Sequence, residues 1–140
     1  MNECEADLGV LCIYLGIEEH PNIEYTKHAE GNHLTNPRFF AYTEEVDGKI
    51  QNQINVCRAI DNLPPDVRIG VLLHELGHIH AGLDEVDADN WVLSVCPESD
   101  YQYEERLLIE SPDGKDPVEI KSIQRVSNSF MQAIGHMECD

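Results

Sequence analysis

Apolar and polar positions divide the chain into a helical start, a strand-rich segment and a helical remainder. The first helix is expected over about residues 3–17, where an apolar run ends near Gly16. Strands are expected over about residues 20–60, because residues 38–43 are rich in aromatic side chains and Asp47-Gly48 is a strong signal for a two-residue hairpin turn. Apolar residues then fall on alternate positions, as a half-buried strand requires: Ile50, Ile54, Val56 and Ile60.

The segment from about residue 65 to residue 81 predicts a buried helix, because it is apolar nearly all round. Its apolar positions are Val67, Ile69, Val71, Leu72, Leu73, Leu76 and Ile79. His74 and His78 continue the face of Val67 and Val71, so they point inward, where an imidazole without a partner would be costly. Gly70 and Gly77 are one heptad apart, which indicates a close backbone neighbour.

A second helix is expected directly after this one. Gly82 is typical of a helix end and Asp84 of a helix N-cap, and the second helix should continue to about Cys96, before Pro97. A short loop between two helices favours an antiparallel pair. In that geometry Glu85, in the first turn of the second helix, returns beside His78, across a gap of about 8–10 Å between the helix axes.

Two further helices are expected near the C-terminus, one over about 99–110 and one that begins at Asp116-Pro117 and continues to about residue 137. The apolar stripe of the last helix is assigned to core packing: Ile120, Ile123, Val126, Phe130, Ile134 and Met137. Strand signals thus lie in about 20–60 and helix signals in about 63–137. This segregation predicts an α+β fold in which a small antiparallel sheet packs on the histidine helix, with helices before and after it.

Length and charge narrow the class of protein. The chain has 140 residues, which predicts a single domain over 1–140. It carries 27 acidic and 9 basic residues, for a net charge of −18. Nucleic-acid and anionic-membrane binding both need clustered Lys and Arg, so this charge argues against both kinds of partner. The ordinary interpretation of such acidity is a highly soluble surface.

Cysteines and apolar runs indicate the compartment. The five cysteines are odd in number and irregularly spaced, so a disulfide framework is not expected and reduced thiols in the cytoplasm fit better. The apolar run over 8–17 is too short to span a bilayer, and the acidic residues before it do not fit a signal peptide.

The sequence His74-Glu75-Leu76-Gly77-His78 carries the strongest chemical signal. Histidines at i and i+4 lie on one helical face and can share one metal ion, for which zinc is the usual choice. Glu85 offers a third ligand, which leaves one position for water, the pattern of a catalytic zinc site. Zinc would lower the pKa of that water to about 7. Glu75 borders the same face and would serve as the base in peptide or amide hydrolysis.

Two motifs carry a resemblance to a known family. His74-Glu75-Leu76-Gly77-His78 followed by Glu85-x-x-Ala88-Asp89 resembles the zincin metallopeptidases of the gluzincin type and is similar to the ImmA/IrrE-like minimal phage and bacterial enzymes. The resemblance covers about residues 50–96. It implies a zincin-like fold, zinc held by His74, His78 and Glu85, a catalytic Glu75, and an Asp89 that orients a histidine ligand. It also implies that the strand at 54–57 borders the cleft and pairs with an extended peptide substrate.

The spacing of the third ligand departs from that family, in which the segment between His78 and the glutamate is usually longer than the seven positions found here. Asp84, six positions after His78, therefore remains an alternative third ligand, as in metzincin-like proteins. The glycine that should accompany it would lie three residues after His78, where this chain has Ala81. The helix face and the Ala-Asp that follows favour Glu85.

Other candidates and other functions stay open at this point. His80 could assist as a further imidazole, and the oxyanion could be stabilised by Tyr101, Tyr103 or Arg125. The favoured function is a cytoplasmic zinc metallopeptidase that acts on a protein or peptide substrate. One alternative is a non-catalytic regulatory or binding protein on a zincin scaffold, against which the intact Glu75 argues. Another is an acidic DNA mimic, against which the inward histidines argue. The oligomeric state is left open.

Overall fold

The computed structural model describes residues 3–25, 41–56, 60–61, 63–104, 107–110, 117–120 and 123–135. Within these ranges the helices are α1 (Glu3–Leu15), α2 (Pro65–Ala81), α3 (Glu85–Val95) and α4 (Asn128–Ala133). The strands are β1 (Asn22–Tyr25), β2 (Ala41–Tyr42), β3 (Glu45–Val46), β4 (Lys49–Ile50), β5 (Gln53–Val56), β6 (Gln102–Glu104), β7 (Leu107–Glu110), β8 (Pro117–Ile120) and β9 (Ile123–Arg125).

Helix α1 confirms the predicted N-terminal helix and buries one face. Its buried residues recur at i, i+3, i+4, i+7 and i+8, which is the spacing of one helical stripe: Cys4, Asp7, Leu8, Leu11 and Cys12. Ile13, on another side, is 75% exposed. The apolar run that begins at Leu8 thus packs against the core along one side of the helix.

The first sheet differs from the antiparallel sheet that the sequence predicts, because it is mixed. Its order is β1-β5-β2, with β1 parallel and β2 antiparallel to β5. Periodicity can indicate a strand, but strand direction depends on which distant segment lies beside it. The hairpin at Asp47-Gly48 is confirmed, since β3 pairs with β4 and both turn residues have positive φ, 53° and 77°.

Strand β5 also differs from expectation. It is the central strand of this sheet, and Ile54, Asn55 and Val56 are all buried, so it is covered on both faces and is not half-buried. On one edge β1 pairs with all four residues of β5, and on the other edge β2 pairs with Asn55 and Val56, so most of the backbone that the resemblance assigns to an extended substrate is already paired. Within the described residues, β1 and β2 are the two edge strands of this sheet.

Helix α2 runs through the middle of the fold and confirms the predicted bounds. Every residue from Val67 to His78 is buried. The two glycines mark close backbone contacts, as predicted: a Cβ on Gly77 would lie 2.5 Å from the carbonyl oxygen of Ala88 in α3, and a Cβ on Gly70 would lie 2.7 Å from the backbone nitrogen of Arg125 in β9. Helix α2 is therefore held between α3 and β9.

The prediction of two C-terminal helices, over about 99–110 and from Asp116 to about residue 137, is wrong for most of their length. A 3₁₀ turn at Pro97–Ser99 leads into strands, in which β6 pairs with β9 and β7 with β8. Pro117 begins strand β8 instead of a helix, a position where its missing N–H is tolerated. Helix α4 is limited to Asn128–Ala133. The core assignment of Val126, Phe130 and Ile134 is confirmed.

The described elements form a mixed α+β arrangement, so the broad fold class is confirmed. The core is formed by α1, the β1-β5-β2 sheet, α2, α3 and the segment from Val126 to Ile134. Across the described ranges, no helix has both the length and the apolar character needed to cross a membrane. The expected strand at residues 38–40 and the histidines His28, His33 and His136 lie outside the described residues.

Candidate metal centre

The site is built where α2 ends and α3 begins. The final turns of α2 carry His74 and His78 on its buried face. Gly82 ends the helix with φ at 107°, a backbone conformation that residues with a side chain rarely adopt. Asp84 then accepts a hydrogen bond from the backbone N–H of Asp87 and caps α3. This tight turn places Glu85, the first residue of α3, opposite the two histidines.

Three side-chain atoms converge on one point. Glu85 Oε1 lies 2.7 Å from His74 Nε2 and 3.5 Å from His78 Nε2. The ligand atoms of these three residues all lie within 4.8 Å of one another, so the group could hold a metal ion. Two ligand atoms on a tetrahedral zinc are about 3.4 Å apart, given bonds of about 2.0–2.1 Å. The His78–Glu85 separation and the two-imidazole, one-carboxylate donor set fit such an ion. The 2.7 Å between His74 Nε2 and Glu85 Oε1 is a hydrogen-bond distance, which would lengthen when both atoms bind the ion.

In each imidazole, Nδ1, the nitrogen that points away from Glu85, lies at hydrogen-bond distance from an oxygen acceptor. His74 Nδ1 lies 2.8 Å from Asp89 Oδ1, and His78 Nδ1 lies 2.9 Å from the backbone carbonyl of Gly82. A neutral ring that donates its Nδ1–H in this way keeps the lone pair of Nε2 available for a metal. His74 Nε2 also lies at hydrogen-bond distance from Glu85 Oε1, 2.7 Å, so a protonated His74 donates to both Asp89 and Glu85, and loss of the Nε2 proton frees that nitrogen as a ligand. Both rings are therefore turned so that Nε2 faces Glu85, with their planes 83° apart.

The charge around His74 favours a cation. Burial disfavours the imidazolium form of His74, but its hydrogen bond to Asp89 and the charges of Glu75, Asp89 and Glu85 outweigh burial and raise its pKa above the ordinary value. Carboxylates that stabilise a proton on this ring also stabilise a divalent ion beside it. The side chain of Glu85 is 73% exposed, so this ligand faces solvent, whereas the two histidines are buried.

Glu75 is buried next to the ligand pair. It is 5% exposed, and burial raises its pKa above that of an ordinary carboxyl, partly offset by a hydrogen bond from Thr43 and by His74 and His78. Thr43 Oγ1 donates to Glu75 Oε1 over 2.7 Å. This bond fixes one carboxylate oxygen from the end of strand β2, one of the two edge strands of the described sheet.

The remaining sequence candidates lie elsewhere. Asp84 is committed to capping α3 and is not a member of the group of potential ligands. His80 is exposed and stacks on Trp91, with ring centroids 5.0 Å apart. Arg125 forms an ion pair with Asp66, 3.2 Å away, in the first turn of α2. The side chain of Tyr103 lies outside the described residues.

Two features of the site do not follow from the sequence. Thr43 is 32 residues from Glu75, and nothing in the motif points to it. Tyr101 is a sequence candidate for stabilising an oxyanion, but its hydroxyl instead donates to Asp89 Oδ1 over 2.6 Å. Burial and the hydrogen bond to Asp89 raise the pKa of Tyr101 above its ordinary value, so the hydroxyl keeps its proton.

Comparison with protein families, with curated proteins and with solved structures found no match to this chain.

Proposed function

We propose that this chain is a zinc-dependent metallopeptidase, with His74, His78 and Glu85 as zinc ligands and Glu75 as the catalytic base. The observation that carries the proposal is the convergence of His74 Nε2, His78 Nε2 and Glu85 Oε1, in which the histidines are buried and the Glu85 side chain is exposed. Three protein ligands of this kind are typical of catalytic zinc sites, whereas structural sites are closed by four. The buried carboxylate of Glu75 beside them gives the site a group that a purely structural centre does not need.

Each residue of the site has a separate role in the proposed amide hydrolysis. Zinc, when bound, supplies Lewis acidity for a carbonyl group and lowers the pKa of a water to about 7. Glu75 accepts the proton of the attacking water and delivers it to the leaving amine. Thr43 holds Glu75 Oε1 during both transfers. Asp89 keeps the His74 ring oriented through Nδ1, and the carbonyl of Gly82 does the same for His78.

The proposed setting is the cytoplasm, with a peptide or protein as substrate. The described cysteines Cys4, Cys12 and Cys96 are free and buried. Burial raises the pKa of Cys4 to about 12 and that of Cys12 to about 11, so both remain protonated thiols at neutral pH. Such thiols agree with a reducing compartment. The excess of acidic over basic residues in the chain argues against a nucleic acid as the partner.

The decisive experiment separates metal binding from hydrolysis. Zinc content is measured on purified protein, and cleavage of a mixed peptide library is followed by mass spectrometry with and without chelator. His74→Ala and Glu85→Ala should lose zinc. Glu75→Gln should keep zinc and lose about 10²–10⁴-fold in cleavage rate, which is the usual contribution of a positioned base.

A matched control is Glu24→Gln, which makes the same change at an exposed position on β1 and should leave zinc and cleavage unchanged. If Glu75→Gln retains most of the turnover, Glu75 is not the base. If the wild-type protein binds zinc but cleaves no peptide, the chain is a binding or regulatory protein that uses the metal for structure.

A further inference from the structure

Tyr101, Asp89 and His74 form a closed triangle of hydrogen-bonding groups behind the proposed metal site. The Tyr101 hydroxyl lies 2.6 Å from Asp89 Oδ1 and 3.2 Å from His74 Nδ1, and the same Asp89 oxygen lies 2.8 Å from His74 Nδ1. An ionised carboxylate can only accept, so both the tyrosine hydroxyl and the ring N–H donate to it. All three residues are buried, with Tyr101 7% exposed.

Tyr101 belongs to a segment that follows α3 and lies in neither α2 nor α3, the helices that carry the proposed ligands. The 3₁₀ turn at Pro97–Ser99 ends at Asp100, whose left-handed conformation (φ 52°) reverses the chain directly before Tyr101. The carbonyl of Ser99 accepts a hydrogen bond from the backbone N–H of Ser127 over 2.9 Å, which ties the turn to the segment before α4. The tyrosine hydroxyl therefore comes from an anchored segment, separate from both helices that carry the ligands.

We infer that Tyr101 is a positioning residue for the proposed metal site, whose hydroxyl fixes the carboxylate of Asp89 and, through it, the ring of His74. This inference rests on the proposed function, because it treats His74 as a ligand. A carboxylate that accepts from two donors at one oxygen has a defined orientation, and a defined acceptor fixes both the tautomer and the angle of the imidazole. Tyr101 thus affects the affinity for the metal through Asp89 and His74, without contacting the metal.

The test removes the hydroxyl and keeps the ring. Tyr101→Phe should weaken Zn²⁺ affinity, measured by competition with a chelator of known affinity, about tenfold, the lower end of the effect of groups that support ligands. Tyr25→Phe is the matched control. Its hydroxyl also contacts a carboxylate, that of Asp61 at 3.1 Å, in a pair formed between β1 and Asp61. This control should leave Zn²⁺ affinity unchanged.

A second measurement distinguishes positioning from packing. In the Asp89→Ala background, Tyr101→Phe should cause no further loss of Zn²⁺ affinity, because its effect passes through the carboxylate that this background removes. In protein without added metal, the Nδ1–H of His74 should exchange with solvent faster in Tyr101→Phe than in the wild type, as measured by imidazole ¹⁵N NMR. Unchanged Nδ1–H exchange, or losses that add in the double variant, would overturn the inference.

Failure of the proposed function has a different signature. If the wild-type protein does not bind Zn²⁺, the metal site is wrong, and the exchange of the His74 Nδ1–H in the metal-free protein alone decides whether Tyr101 orients the ring. If the wild type binds Zn²⁺ and Tyr101→Phe binds it equally well, the metal site stands and the role of Tyr101 is wrong.

Discussion

Helix α2 buries polar side chains in both of its halves, but the two halves satisfy them in different ways. In the first half, Arg68 Nε donates to Asp7 Oδ2 in α1 over 2.6 Å, and both side chains are almost fully buried. In the second half, His74 and His78 direct their Nε2 atoms toward Glu85, whose side chain is 73% exposed. We call the first half, in which Arg68 is paired with Asp7, the closed half. We call the second half, in which His74 and His78 face the exposed Glu85, the open half.

The comparison shows that burial of charge is not by itself a sign of function. The Asp7–Arg68 pair joins α1 to α2 and leaves its charges neutralised inside the core. The histidine half gathers the carboxylates of Glu75, Glu85 and Asp89 around two imidazoles, and its donor atoms meet at one point. A converging donor set with an excess of negative charge can accept a further cation.

Breaking the closed half should have the largest effect on stability. Asp7→Ala leaves the Arg68 guanidinium buried without this carboxylate, which should lower the free energy of unfolding by about 3–5 kcal/mol in urea titrations. Zinc affinity should not change. Asp66→Ala is the control, because its ion pair with Arg125 is partly exposed and should contribute about 1 kcal/mol or less. A loss of zinc in Asp7→Ala would show that the halves are not independent.

Removing the metal should loosen the open half. Zinc at about 100 times its dissociation constant should stabilise the folded form by about 2.7 kcal/mol, which corresponds to about 10 °C in Tm for a chain of this size. Thermal melts with and without chelator measure the difference. The zinc-free protein should stay folded, since the closed half and the rest of the core do not depend on the ion. His74→Ala should show no shift with zinc, and equal Tm values for verified zinc-free and zinc-loaded wild type would contradict the placement of the site.

The two glycines of α2 allow each half to be disturbed separately. Gly77→Ala pushes against the backbone of Ala88 and Gly70→Ala against β9, so each should cost about 1–3 kcal/mol in unfolding free energy. Only Gly77→Ala should also weaken zinc binding, because it separates α2 from the helix that carries Glu85. Gly9→Ala in α1 has open space around it and should be neutral or stabilising by about 0.5–1 kcal/mol.

The smallest expected effect concerns the choice of third ligand. Asp84→Ala removes the cap of α3 and should cost about 1 kcal/mol in stability while zinc content stays the same. Glu85→Ala should lose zinc with little change in helix capping. The reverse result, with zinc lost in Asp84→Ala and kept in Glu85→Ala, would reassign the third ligand to Asp84.

Local rules account for what the sequence determined. The bounds of α2, the end at Gly82, the cap at Asp84 and the approach of Glu85 to His78 follow from helix periodicity, capping preferences and a short loop. The hairpin at Asp47-Gly48 follows from turn chemistry. Each of these depends on residues a few positions apart, so local sequence is sufficient to identify the candidate ligands.

Tertiary contacts decided the rest. The segment over 117–125 has apolar spacing that suits a helix, yet β8 and β9 form because β7 and β6 lie beside them and β9 packs on Gly70. The parallel pairing of β1 with β5 joins positions about 30 residues apart. Thr43 and Tyr101 reach the site through the ends of other elements. Such partners are selected by the packing of the whole chain, which no local pattern encodes.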